Sequence, residues 1–156
     1  MHVQPQLVLG LTFNWGALLG WTAATGALDA AAPLLLYASG ILWTLAYDTM
    51  YAFQDAAHDA GAGVRSSALA LAARGAEKTG VAAFFAGSLA LLAAAGAAVD
   101  LGPAFYCGVA GAAGHAGWQV ASWRVGDPAD CGAKFKSNAL YGGLVFVAIV
   151  VGKFCG

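Results

Sequence analysis

The sequence predicts an all-α integral membrane protein, a bundle of about five transmembrane helices. Two observations carry this. Sixty per cent of the residues are hydrophobic and only 10% charged, with a mean hydropathy of +0.71; soluble domains carry about 25% charged residues. The apolar residues also fall into five long runs separated by short polar stretches, with no strand pattern among them. The runs cover roughly residues 7–27, 33–54, 80–99, 104–123 and 139–154. Each approaches the ~20 residues that cross the hydrocarbon of a bilayer.

The first run, 7–27, contains Asn14 about two turns in. An amide there is costly in lipid unless it faces the bundle interior, where it either holds a substrate or bonds a neighbouring helix. Gly16 and Gly20 form a GxxxG pair suited to close helix packing. Asp29 marks a short turn, and Pro33 opens the second run at a position where a helix tolerates proline. The fourth run opens the same way, at Pro103 after the turn at Asp100, and carries Gly108, Gly111, Gly114 and Gly117. These read as packing residues, since neither a GxGxxG nor a Walker pattern is present. His115, alone among Gly and Ala, reads as a packed or hydrogen-bonded histidine. The five tryptophans, Trp15, Trp21, Trp43, Trp118 and Trp123, read in part as interface anchors.

Several classes are excluded. The net charge of −1 and the lack of a basic stripe argue against nucleic acid. Cys107, Cys131 and Cys155 form neither a CxxC pair nor a zinc pattern; Cys107 and Cys155, in apolar runs, read as buried thiols. The start, MHVQPQ, lacks the marks of a signal peptide, and Met1 reads as an internal or mis-assigned start.

The chemistry concentrates in residues 47–67, YDTMYAFQDAAHDAGAGVRSS, which hold three of the eight acids, Asp48, Asp55 and Asp59. On a helix Asp48 and Asp55 stand about two turns apart on one face, with Tyr51 between them. An acidic loop that merely keeps a helix end in water would account for Asp59. It would not account for Asp48, a turn or more inside the apolar helix. Carboxylates at such a depth need a positive partner, and the nearest basic residue is Arg65. A divalent cation supplies the missing charge. Mg²⁺ takes oxygen ligands, commonly one or two carboxylates plus phosphate oxygens. His58, facing away from Asp55 and Asp59 on a helix, reads as a loop residue.

Charge also orients the bundle. Six of the seven basic residues, Arg65, Arg74, Lys78, Arg124, Lys134 and Lys136, fall between helices two and three or four and five; only Lys153 lies elsewhere. The positive-inside rule makes that side cytoplasmic, and the aspartates open to it. Arg124, Lys134, Lys136, Ser137 and Asn138 therefore share a membrane face with Asp55 and Asp59, an arrangement that suits a diphosphate. For Arg124 and Lys134 the orientation signal alone is an equal explanation.

YDTMYAFQDAAHD followed by GVRSSAL resembles the second aspartate-rich motif of the UbiA superfamily of membrane prenyltransferases, most nearly its branch that prenylates 4-hydroxybenzoate. PQLVLGLTFNWG is similar to the family's fifth helix and KFKSNALYGGLVF to the start of its ninth. The family's first motif, of the type Asn-Asp-x-x-Asp, does not occur in residues 1–156. The resemblance thus implies a single transmembrane unit matching the C-terminal half of the fold, a fragment lacking the N-terminal half and inactive without it.

It further implies Mg²⁺-dependent transfer of a polyprenyl group from polyprenyl diphosphate to 4-hydroxybenzoate in ubiquinone synthesis, in a bacterial inner membrane. Asp55 and Asp59 would be metal ligands, and Asp48 a ligand or its support. Arg65 would contact diphosphate, with Lys136, Asn138, Tyr51 and Asn14 as further substrate-binding residues. Two alternatives stay open at this point: prenyl transfer to another acceptor, and a non-enzymatic carrier or channel subunit with an intramembrane acidic site.

Overall fold

A computed structural model describes residues 5–28, 30–54 and 66–154. Among them there is no strand, and seven helices follow in order: α1 (Pro5–Phe13), α2 (Trp15–Thr25), α3 (Ala31–Ala52), α4 (Ser67–Ala72), α5 (Glu77–Ala97), α6 (Pro103–Ser122) and α7 (Pro128–Phe154). Among the described residues, three stretches are both long and apolar enough to cross a membrane: Gln6–Thr25, Glu77–Ala97 and Pro128–Phe154. Helices α3 and α6, of 22 and 20 residues, match them in length and pack among them.

The first expected helix is two helices. Asn14 interrupts it by turning its side-chain N–H onto the Gly10 carbonyl at 2.7 Å, four residues back, and onto Thr44 Oγ1 of α3 at 3.0 Å. A side chain that takes over a helical carbonyl competes with the backbone ladder and bends or breaks it. Helix α2 then ends on Gly26, whose φ of 81° lets its N–H close on Thr22 O at 2.8 Å.

The largest correction is at α7, expected from residue 139 but starting at Pro128. Asp127 caps it, its Oδ1 accepting from Ala129 N–H at 3.0 Å and Asp130 N–H at 3.2 Å, and proline takes the first helical position. Lys134, Lys136, Ser137 and Asn138 are therefore helical residues with fixed directions, not members of a loop.

The core runs along α3, with Ala46, Met50 and Phe53 packed against Val81 and Phe85 of α5, Ala112 and Ala116 of α6, and Tyr141 of α7. Of the tryptophans, Trp123 is buried in this core and Trp43 packs against it, while Trp15 and Trp118 are exposed. Cys107 also corrects the expectation: it is exposed, on the outer face of α6, whereas Cys131 is buried. Cys155 lies outside the described residues.

The glycines divide in the same way. A Cβ on Gly108 would strike Ala148 of α7, and one on Gly152 would strike Phe105 of α6. Gly16, Gly20, Gly111, Gly114 and Gly117 meet nothing within 4 Å among the described residues.

Candidate functional site

Asp48 sits one turn before the C-terminal end of α3 and is half-buried. Its neighbours Tyr47 and Tyr51 both reach Phe135 of α7, with ring centroids at 5.5 and 4.8 Å. Tyr51 is otherwise exposed, so the acidic end of α3 presents a carboxylate beside an open aromatic surface. Asp55, His58, Asp59 and Arg65 lie outside the described residues. Among the described residues no three His, Cys, Asp or Glu side chains gather as a metal-holding group.

The chain on both sides of residues 55–65 is held by buried contacts. Phe53 packs edge-on against Trp123 at 5.2 Å, and the Trp123 indole N–H reaches Cys131 Sγ at 3.4 Å. On the other side Ser66 caps α4 by accepting from Leu69 N–H, and the Ser67 hydroxyl lies 2.6 Å from that of Thr49.

Asn138, expected to touch substrate, spends its amide on protein. Its Oδ1 accepts from the Trp43 indole at 2.9 Å, and its NH₂ reaches Lys134 O at 2.9 Å and Gln119 Oε1 at 3.5 Å. Gln119 in turn donates to Ser137 Oγ at 2.9 Å, and its NH₂ lies 3.4 Å from His115 Nδ1. The physical reason is depth: a polar group enclosed by apolar helices is costly unless paired, and Asn138, Gln119 and Ser137 satisfy one another. His115 joins them only through Nδ1; its Nε2 is buried without a partner among the described residues.

The basic residues also separate. Lys134 is buried, paired with Asp130 Oδ1 at 3.2 Å and poised 4.6 Å over the Trp118 ring. Lys136 is exposed, and Arg124 is exposed beside Asp127 at 3.3 Å. Lys78 donates to Ala121 O at 3.2 Å, which joins the start of α5 to the end of α6. Arg124, Lys134 and Lys136 therefore gather with Lys78 at the same end of the bundle as Asp48.

Toward the other end of α3 a cleft of about 160 Å³ opens among Asn14, Ser39, Gly40, Trp43, Ser88 and Tyr141. Asn14 fits there because Gly40 has no side chain; a Cβ would collide with its amide. The cleft shares Gly16, Ala17, Leu36 and Leu92 with a larger cavity of about 480 Å³, lined almost wholly by apolar side chains and by Lys153 at the far end. The spacing of Gly40 from Asp48 along α3 puts the cleft about 12 Å below the acidic end at 1.5 Å per residue.

Sequence reasoning missed Trp43, Gln119, Thr49 and Asp130. Gln119 carried a signal, a lone amide in an apolar helix. Asp130 carried another, four residues before Lys134, the spacing of an ion pair on a helix.

The sequence pattern of the UbiA prenyltransferase family matches residues 1–151. The chain is 44% identical over 149 residues to "4-hydroxybenzoate polyprenyltransferase, mitochondrial" of Arabidopsis thaliana, covering 96% of this chain and 36% of that protein. It is 47% identical over 146 residues to the protein of the same name in Caenorhabditis elegans, covering 94% and 40%. For that of Bos taurus the figures are 42% over 151 residues, 97% and 40%. The chain thus spans less than half the length of these relatives. No solved structure matches it. With the family's pattern covering residues 1–151 of an all-helical bundle, this chain belongs to the UbiA prenyltransferase family.

Proposed function

We propose that this chain forms part of an enzyme that transfers a polyprenyl group from a polyprenyl diphosphate to the ring of 4-hydroxybenzoate, a step in ubiquinone synthesis. The relatives' names support the reaction class. One observation carries it onto this structure: a carboxylate at the helix end, with basic residues at the same end, stands above a cleft that continues into an apolar cavity. That layout suits a diphosphate head and an isoprenoid tail.

Asp48, Asp55 and Asp59 would hold Mg²⁺. Their carboxylate oxygens are the donors this ion prefers, and the half-burial of Asp48 favours a compensating cation. When bound, the ion neutralises charge on the diphosphate. Arg65 and Lys136 would contact the diphosphate oxygens and stabilise the leaving pyrophosphate as the C1–O bond breaks. Tyr51 and Phe135 offer ring faces beside the reacting end. A ring carbon of the acceptor, ortho to its phenol, attacks C1 of the allylic cation, and the ring proton is then lost. The apolar walls exclude the water that would quench that cation. Asn14 lines the cleft, and Asn138 acts by fixing Trp43 rather than by touching substrate.

The site opens, in this reading, to the cytoplasmic face of a bacterial inner membrane. A diphosphate bridged by metal ions needs carboxylates on two sides, so the active enzyme includes a complementary N-terminal half bearing the second group. The test is prenyl transfer to 4-hydroxybenzoate in detergent with Mg²⁺, by this chain with and without that half. Turnover should require both halves. Asp55→Asn and Asp59→Asn should each abolish most of it while leaving membrane insertion intact. Robust turnover by the lone chain would overturn the two-group requirement, and near-normal activity of both variants would overturn the metal-ligand assignment.

A further inference from the structure

Tyr141 of α7 is 1% exposed, and its hydroxyl has no hydrogen-bond partner among the described residues. The residue lines the cleft of about 160 Å³ together with Asn14, Ser39 and Ser88. Ser39 Oγ donates to Ser88 O at 2.8 Å and lies 3.1 Å from Ser88 Oγ, so these two hydroxyls are spent on each other. Both N–H bonds of the Asn14 amide are also used, on Gly10 O and Thr44 Oγ1. That leaves only its Oδ1, an acceptor, for anything that enters. The Trp43 ring and Leu36 form apolar walls, and no residue lining the cleft carries a charge. A buried hydroxyl without a partner costs free energy. If packing were all that mattered here, phenylalanine would serve as well as tyrosine.

One free O–H donor, one free acceptor and apolar walls suit a neutral hydroxyl on a flat ring, which accepts from the first and donates to the second. A carboxylate does not suit them, because it only accepts and would meet no cation. We propose that this cleft binds the phenol end of the aromatic acceptor, with the Tyr141 hydroxyl donating to the phenol oxygen and Asn14 Oδ1 accepting from the phenol O–H. This rests on the functional reading above, in which the acceptor is 4-hydroxybenzoate. The acceptor is then oriented by its hydroxyl, and its carboxylate stays outside the cleft. As the ring attacks the allylic cation, positive charge develops on that hydroxyl, and an amide oxygen bonded to it stabilises the charge.

The test is binding to the whole chain in detergent micelles, read by saturation-transfer NMR with neutral probes. Methyl 4-hydroxybenzoate should bind saturably. Methyl benzoate and methyl 4-methoxybenzoate, which lack the phenol O–H, should bind about tenfold more weakly, in line with the loss of a buried hydrogen bond. Tyr141→Phe should weaken methyl 4-hydroxybenzoate about tenfold and leave methyl benzoate unchanged. Its unfolding midpoint should hold or rise, since the hydroxyl it removes has no partner in the fold. Tyr106→Phe, at an exposed tyrosine of α6, should change none of these. Equal binding of the three probes, or an unchanged affinity in Tyr141→Phe, would overturn the site. The probe comparison needs only the parent chain, so it decides even where the variant fails to fold.

With the complementary half present, Tyr141→Phe should raise KM for 4-hydroxybenzoate about tenfold and leave KM for the prenyl diphosphate unchanged. An unchanged KM for 4-hydroxybenzoate would overturn the acceptor assignment. If the parent assembly transfers no prenyl group at all, the functional reading fails and the acceptor assignment with it, while the probes still decide whether the cleft takes a phenol.

Discussion

Trp43 donates its indole N–H to Asn138 Oδ1 at 2.9 Å, and through this bond the helix that carries Asp48 is tied to α7. The bond is one link in a polar chain through an apolar interior. Asn138 reaches Gln119 of α6, and Gln119 donates to Ser137 of α7. Around it the Trp43 ring stacks on Tyr141 at 5.2 Å and meets Tyr47 edge-on at 5.4 Å. Three helices are thereby fixed in register next to the acidic end of α3.

The first prediction follows from that bond. Trp43→Phe keeps an aromatic ring against Tyr141 but leaves Asn138 Oδ1 without its donor. An unpaired buried acceptor costs about 1–3 kcal/mol, so the unfolding midpoint in detergent should fall. Asn138→Leu should cost a similar amount, and the double variant less than the sum, because the two residues share the interaction. Additive losses would show that the bond couples nothing.

The second concerns Asp130 and Lys134, whose side chains are only 11% and 6% exposed. Asp130 also accepts from Arg124 N–H at 2.7 Å, which ties the end of the α6–α7 turn to the first turn of α7. Removing one member of a buried pair leaves the other uncompensated, at about 3–5 kcal/mol, whereas replacing both is far milder. Lys134→Met should therefore destabilise the chain strongly, and Asp130→Asn combined with Lys134→Met should recover most of the loss. Equal stability of the single and double variants, measured by denaturant titration in micelles, would contradict this.

How much of this was legible depends on what each feature rests on. The helices expected at 80–99 and 104–123 appear as Glu77–Ala97 and Pro103–Ser122, because continuous apolar runs and a proline start mark their limits directly. The apolar pattern marks helix α7 only from residue 139 and leaves out its first eleven residues, 128 to 138, because those turns mix Asp, Lys, Ser and Asn with apolar residues. The Asp127–Pro128 start was readable and outweighs that composition. The break at Asn14 and the contact between Thr49 and Ser67 follow from tertiary partners, which no local pattern specifies. For the site, the sequence singled out Asp48, Tyr51 and Asn14. It could not separate the buried Lys134 from the exposed Lys136, since that depends on which face α7 turns toward α6.

The third prediction sorts the glycines. In the isolated chain Gly111→Ala and Gly114→Ala should be neutral or stabilising by up to about 0.5–1 kcal/mol, because alanine loses less backbone entropy in a helix and nothing stands within 4 Å. Gly152→Ala should destabilise by about 1–3 kcal/mol, the usual cost of overpacking, since its Cβ would meet the Phe105 backbone with Cα at 3.1 Å and N at 3.2 Å. A common response from all three positions would show that the α6–α7 approach is not close at Gly152.

The last prediction is the orientation in the membrane. Arg74, Lys78, Arg124, Lys134 and Lys136 cluster at one end of the bundle, joined there by the Lys78–Ala121 and Arg124–Asp130 contacts. At the opposite end Gly102 N–H meets Gly152 O at 3.0 Å, and Lys153 is the one basic residue there among the described residues. Basic residues in short loops hold those loops on the cytoplasmic side. Ala133 lies inside α7, so a reporter does not belong there. The exposed turn at Gly126 is the better position. A fusion there should read cytoplasmic and one at Leu101 external. Replacing Arg124 and Lys136 together by glutamine should weaken that preference. Lys134→Gln should change stability more than orientation, because its charge is already matched by Asp130. A reversed reading at Gly126 and Leu101 would move the acidic end of α3 to the outer face and remove the case for a cytoplasmic site.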